Sequence, residues 1–189
     1  MRVTEAGQAT WKWAVRGVAR FARIYPCSLS FLSLLVAGSW AVAADARTFY
    51  AGPHWAAIDR RGGRSCAAVA RSELVAPKGR EQARASISFD RPRSRGRLGE
   101  LHLRLSRPAR PGSTALLLIG GRPFQLLTRG PDAWSRGPAQ ERAIIAAIRG
   151  AGDMRVRFRA ASGGFTDRYL LGGAPTAIDA AAAACSRDR

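Results

Sequence analysis

ARASISFDRPRSRGRLGELHLRL, residues 83–105, is the stretch on which the fold turns. Ala83, Ala85, Ile87 and Phe89 alternate with Arg84, Ser86, Ser88 and Asp90. Leu101, Leu103 and Leu105 alternate with Glu100, His102 and Arg104. A period of two sends successive side chains to opposite faces of an extended chain. The stretch therefore predicts two half-buried strands, each with an apolar and a wet face. Between them RPRSRGR, residues 91–97, is too charged to bury and reads as a polar turn.

The same signal recurs on both sides. Met154, Val156 and Phe158 alternate with Arg155, Arg157 and Arg159. Thr114 to Ile119 is a continuous apolar run closed by Gly120-Gly121, which predicts a strand buried on both faces, and Phe124 to Leu127 then pairs back across the glycines. Upstream, His54–Ile58 and Cys66–Ala70 flank the turn RRGGR, residues 60–64, and form a hairpin after a short lead-in, Ala44–Pro53. Pro77-Lys78-Gly79-Arg80 marks a loop, and Thr166–Leu171 is a last strand.

Helices break the pattern twice. Pro138 suits a first helical position, Ile144, Ala147, Ile148 and Ala151 make one apolar face, and Arg149-Gly150 closes it. The tail TAIDAAAAACSRDR, residues 176–189, has Thr176 and Asp179 at capping-box spacing, with Ile178, Ala181, Ala182 and Cys185 on one face. Together these elements describe a mainly β protein: a β-sandwich of about eight short strands, with one inserted helix and one C-terminal helix.

The first 43 residues read as a secretory signal peptide, leaving a domain over 44–189. Lys12, Arg16, Arg20 and Arg23 form a basic region; CSLSFLSLLVAGSWAVA, Cys27 to Ala43, is apolar and ends in Ala41-Val42-Ala43, a small-residue cleavage signal. The run contains serines and a glycine and is short for a membrane span, which favours cleavage over anchoring. Removal of Cys27 leaves Cys66 and Cys185. A pair of cysteines in an exported, oxidising setting predicts one disulfide. Two cysteines with scattered histidines are too few for a metal centre.

The formal charge is +18, carried almost wholly by arginine, with lysine only at positions 12 and 78. The charge is spread along the chain, and no basic stripe is interleaved with stacking aromatics, so nucleic acid is not the expected partner. An envelope component such as anionic lipid or polysaccharide suits the charge better. Two basic features stand out as a candidate anion-binding surface: the row Arg155, Arg157, Arg159 and the loop Arg91, Arg93, Arg95, Arg97. His54 and His102 are the only histidines and no G-x-S-x-G elbow occurs, so His102 reads as an ordinary residue on a wet strand face. A hydrolase with a cryptic site around one of these histidines is the alternative from another functional class. Trp55 and Trp134 read as core anchors. No cofactor motif is present, and the expected protein is not an enzyme.

The order of several segments resembles the invasion-associated locus B family of exported alphaproteobacterial proteins. Trp55 precedes Cys66, IGGRPFQL (119–126) follows mid-chain strands, and Trp134 leads into a helix with AIIAAIRGAGDMRV (143–156). Then come Asp167-Arg168-Tyr169-Leu170-Leu171-Gly172-Gly173, AIDAA (177–181) and the final cysteine. The resemblance spans most of residues 49–185 and implies a periplasmic or outer-membrane-associated, immunoglobulin-like β-sandwich linked to host-cell interaction. It supplies no catalytic residues. This chain is richer in arginine than typical members and has a longer N-terminal region.

Overall fold

The alternation over 83–105 is realised as two neighbouring antiparallel strands, β4 and β5, paired Arg84 to Arg104, Ala85 to Leu103, Ser86 to His102 and Ile87 to Leu101. The computed structural model describes residues 47–60, 63–91 and 96–186; the expected signal segment 1–43 lies outside them. In chain order the elements are β1 (Thr48–Ala51), β2 (Trp55–Arg60), β3 (Ser65–Arg71), β4 (Arg84–Asp90), β5 (Leu98–Arg104), β6 (Thr114–Ile119), β7 (Arg122–Arg129) and β8 (Asp132–Trp134). Helix α1 (Pro138–Arg149), β9 (Asp153–Ala160), β10 (Gly163–Leu170) and helix α2 (Ala174–Ser186) complete the chain.

All ten strands belong to one antiparallel sheet, in the order β1-β2-β3-β4-β5-β8-β7-β6-β9-β10. Most neighbours are joined by tight hairpins. At the β6–β7 hairpin, Ile119 pairs with Arg122 and both connecting glycines have positive φ (Gly120 53°, Gly121 84°), the two-residue turn whose twist suits paired strands. The sheet does not lie open. Trp55 of β2 donates its indole N–H to the carbonyl of Leu170 at the end of β10 (2.9 Å), and Glu73 N–H, just past β3, donates to the Arg168 carbonyl (2.8 Å). Strands near opposite ends of the order therefore meet, and the sheet is rolled around a single core.

That core is the inner face of the alternation: Trp55, Ile87, Leu101, Leu103, Leu117, Val156 and Tyr169 are all buried. Helices fill the open side. α1 turns Ile144, Ala147 and Ile148 inward as its periodicity predicts. Ile145 of α1 also leans on Gly99 of β5, where a side chain's Cβ would come within 2.8 Å of the isoleucine Cδ1, and the φ of +118° at this position favours glycine.

Four expectations change. The described residues form ten strands, two beyond the eight or so anticipated, because Thr48–Ala51, taken as lead-in, pairs with β2, and Asp132–Trp134 bridges β5 and β7. β6 is not buried on both faces: Leu117 is covered, but Leu116 is 37% exposed because only arginine and glutamine neighbours flank it on the outer surface. Trp134 is half-buried on that outer surface rather than anchored in the core, whereas Trp55 is fully buried. The capping box in the tail does not form. α2 starts two residues before Thr176, straight after Gly172-Gly173, with Pro175 in its first turn. Asp179 instead accepts two hydrogen bonds from Arg149 of α1, one of 3.1 Å, which hold its carboxyl below the usual range.

α2 packs through Ala174, Ala177, Ile178, Ala181 and Cys185 against β2 and β3. The sulfurs of Cys66 on β3 and Cys185 are at bonding distance, 2.17 Å, with a sequence separation of 119. Three of the five buried positions are alanines, each adding only about 0.8 kcal/mol as one buried methyl. A cross-link closing so long a loop is the larger effect. Replacing Cys66 and Cys185 together with Ala is expected to lower stability by about 2–5 kcal/mol, read as a fall in the thermal midpoint. Reductant should lower the midpoint of the wild-type chain similarly and leave that of the double variant unchanged.

Candidate functional site

The outer surface of the rolled sheet carries the candidate groups. Direct cross-strand partners share a face, so Ser86, His102 and Trp134 form one row across β4, β5 and β8, and Arg71, Arg84, Arg104 and Asp132 form the next. The second row would set arginine directly against arginine, an unfavourable pairing. Carboxylates resolve it. Glu81 binds both Arg84 (2.6 Å) and Arg104 (3.1 Å), and Asp132 accepts from Arg104 (2.9 Å). Asp132 then reaches the first row through its other oxygen, 2.9 Å from Nε2 of His102, which donates its N–H there. The imidazole also stacks on Trp134 at 5.4 Å between ring centres. His102 is thus a fixed member of a surface network instead of a free side chain.

Beside this network runs a groove of about 770 Å³, lined among others by His54, Ile58, Val69, Arg71, Arg84 and His102. It brings both histidines to one concave site. Ser86 lies opposite His102 in register, so the three residue types of a hydrolytic triad occupy adjacent strands. Their geometry differs from a triad. The Ser86 hydroxyl is turned to the backbone carbonyl of His102 (3.4 Å), and Ser86 is buried. A nucleophile needs its hydroxyl on the base.

The anticipated arginine features divide. Arg155, Arg157 and Arg159 all project from β9 to the outer surface, spaced about 6.7 Å apart as alternate residues of a strand. Arg155 is tied to Asp153 (2.8 Å), while among the described residues Arg157 and Arg159 have no ion pair. Both line a second, shallow trough of about 890 Å³ with Thr114, Leu116, Gln125 and Thr166. The loop 91–97 behaves differently. Arg91 donates to the carbonyls of Gly63 and Ala184 (3.3 Å for the latter), bracing the β2–β3 turn against the end of α2. Arg97 makes two hydrogen bonds to Asp90, at 3.2 and 2.7 Å, and these raise its pKa. Arg91 and Arg97 therefore hold the fold, and Arg93 and Arg95 lie outside the described residues.

The Asp132–His102 pairing was missed from sequence because β8 is three residues long, too short for an alternation to register. Its only sign was a turn signal, Gly130-Pro131-Asp132, ahead of Trp134.

Of the two acids buried among the described residues, Glu141 and Asp167, the more deeply buried lies inside the roll. Asp167 of β10 accepts the Ser106 backbone N–H (2.9 Å) and so ties the β5–β6 crossover to the sheet. Burial raises its carboxyl pKa, against the hydrogen bonds from Ser106 and the charge of Arg107. Burial, and then the charge of Asp167, raises the neighbouring Tyr169 hydroxyl as well.

Comparison of the chain with family models, with curated proteins and with solved structures returns no match.

A raised carboxyl pKa means that the folded state holds the proton more tightly than the unfolded chain. The contribution of Asp167 to stability is therefore most favourable below its ordinary value of 3.8 and declines as pH rises from there to the folded value. Asp167→Asn keeps an acceptor for Ser106 and removes the buried charge. Thermal midpoints across acidic to neutral pH should lose this component in the variant, with stability at pH 7 equal to or above wild type; a lower midpoint at pH 7 would contradict the assignment.

Proposed function

We propose that the chain is an exported, non-enzymatic cell-envelope domain with a binding or structural role, of the invasion-associated locus B kind. The observation that carries this reading is the Cys66–Cys185 link. A bond joining the last helix to an early strand suits an oxidising compartment, and it agrees with the signal-like segment at 1–43. The finer architecture we infer is an immunoglobulin-like sandwich, each half of the rolled sheet forming one layer; a single core enclosed by both halves supports it. A non-enzymatic role is favoured over a hydrolase by the Ser86 hydroxyl, which is turned away from the imidazole. Host-cell interaction is carried only by the resemblance.

A second reading, an anion-binding surface protein, is favoured by Arg157 and Arg159. They stand side by side, without ion pairs among the described residues, in a trough also lined by Thr114 and Thr166, an arrangement suited to sulfate, phosphate or carboxylate groups of an acidic polysaccharide.

Two measurements test these readings. Cell fractionation with N-terminal sequencing should find a mature chain beginning at Ala44 outside the cytoplasm; an intact cytoplasmic chain with free thiols at 66 and 185 would overturn export. Arg157→Ser with Arg159→Ser should elute from a sulfated-polysaccharide column at clearly lower salt than wild type, and unchanged elution would remove the second reading.

A further inference from the structure

The β3–β4 connection, residues 72–83, has features the sheet does not account for. Leu74 is 63% exposed and Val75, beside it, 82% exposed. The connection is nevertheless firmly built. Ser72 N–H donates to the Ala83 carbonyl (2.9 Å), Gln82 Nε2 to the Ser72 carbonyl (2.8 Å), and Ser72 Oγ to the Leu74 carbonyl (3.0 Å). Glu73 N–H is fastened to β10 through the Arg168 carbonyl (2.8 Å). These bonds lock the base and hold the two apolar side chains out in water.

Charge is arranged around them with the same bias. The connection holds two carboxylates, and both are engaged by arginines of the sheet: Glu73 with Arg168 (3.6 Å), Glu81 with Arg84 and Arg104. Lys78 and Arg80, and Arg71 at the base, are exposed and without ion pairs among the described residues. The exposed tip is therefore apolar and cationic at once. Apolar side chains flanked by uncompensated cations form the combination that binds an anionic bilayer surface, each part too weak alone. A soluble polyanion would use the cations and gain nothing from Leu74 and Val75, which makes a bilayer the better fit.

We propose that the 72–83 connection seats this domain on an anionic phospholipid bilayer, with Leu74 and Val75 entering the headgroup–acyl boundary and Lys78, Arg80 and Arg71 meeting lipid phosphates. The surface is separate from the Arg157/Arg159 trough, and the proposal does not depend on export or on polysaccharide binding.

Vesicle co-sedimentation of the full chain tests it, with phosphatidylglycerol–phosphatidylcholine vesicles against pure phosphatidylcholine. Lys78→Ser with Arg80→Ser should weaken binding to the anionic vesicles on the order of tenfold, and Leu74→Ser with Val75→Ser should weaken it several-fold. Arg142→Ser, at an exposed position on α1 away from both patches, should bind as wild type. All the substituted side chains are exposed, and circular dichroism checks that the variants fold. A local readout excludes binding through the N-terminal segment: an environment-sensitive fluorophore on Val75→Cys, in a Cys27→Ser chain, should shift to the blue with anionic vesicles and stay unchanged with neutral ones. Absence of that shift overturns the proposal. So does a Leu74/Val75 variant that binds anionic vesicles as wild type while the Lys78/Arg80 variant loses vesicles and dextran sulfate equally, which would assign the cations to a soluble polyanion.

Discussion

The bond between Cys66 and Cys185 is the constraint on which the rest of the structure leans. The sheet is rolled, and its inner face needs a lid on the side left open. α2 provides part of that lid with a face of alanines, Ile178 and one cysteine. Alanine allows the helix to lie close on β2 and β3 but offers little apolar area to hold it there. Helix propensity favours the helical form of such a tail without fixing where it docks. A covalent tie to the inner face of β3 supplies what the side chains lack. Arg91 adds a second tie at the same end, from the β4 terminus to the Ala184 carbonyl. The close of the chain and its first hairpin thus form one stable unit.

Much of this was legible in the sequence, and the parts that were not share a cause. Strict alternation located β4, β5 and β9, and helical periodicity located both helices, because each repeats long enough to stand out. β1 and β8 were hidden because four and three residues carry no period. The apolar run over β6 pointed to two buried faces, yet what covers a face is decided by strands far away in sequence. Here the outer neighbours are Gln125 and Arg157, whose long side chains flank Leu116 without covering it. The misplaced cap has another origin. Thr176 and Asp179 have suitable spacing, but Gly172-Gly173 already permits the turn two residues earlier, and Arg149 offers Asp179 a charged partner.

The candidate site was legible to a smaller degree for a related reason. Sequence identifies arginines but not which of them are neutralised, and in this chain that distinction is nearly everything. Arg91 and Arg97 looked like members of an open cationic loop, and both are engaged in holding strands and turns together. His102 looked like a bystander, and it is clamped between Asp132 and Trp134. The groups left available were set by three-dimensional pairing that no local pattern encodes.

Scarcity of acid gives that pairing its consequence. With 31 basic residues against 13 acidic ones, no arrangement can neutralise the surface, so the positions of the carboxylates decide where positive charge remains. Glu81 and Asp132 relieve the row in which Arg84 and Arg104 face each other, a place where uncompensated like charge would strain the sheet directly. Glu73 holds Arg168 at the sheet's closing seam. Acids are thus committed where strands must meet, and the cations without ion pairs among the described residues include Arg157 and Arg159 in the trough and Lys78 and Arg80 at the tip beyond Ser72. The same arrangement that makes so basic a sheet foldable leaves free charge at several places, the trough and the tip being two of them. Only the second of these carries a pair of aliphatic side chains standing mostly in water, and that difference in chemistry separates a surface suited to a polymer from one suited to a bilayer.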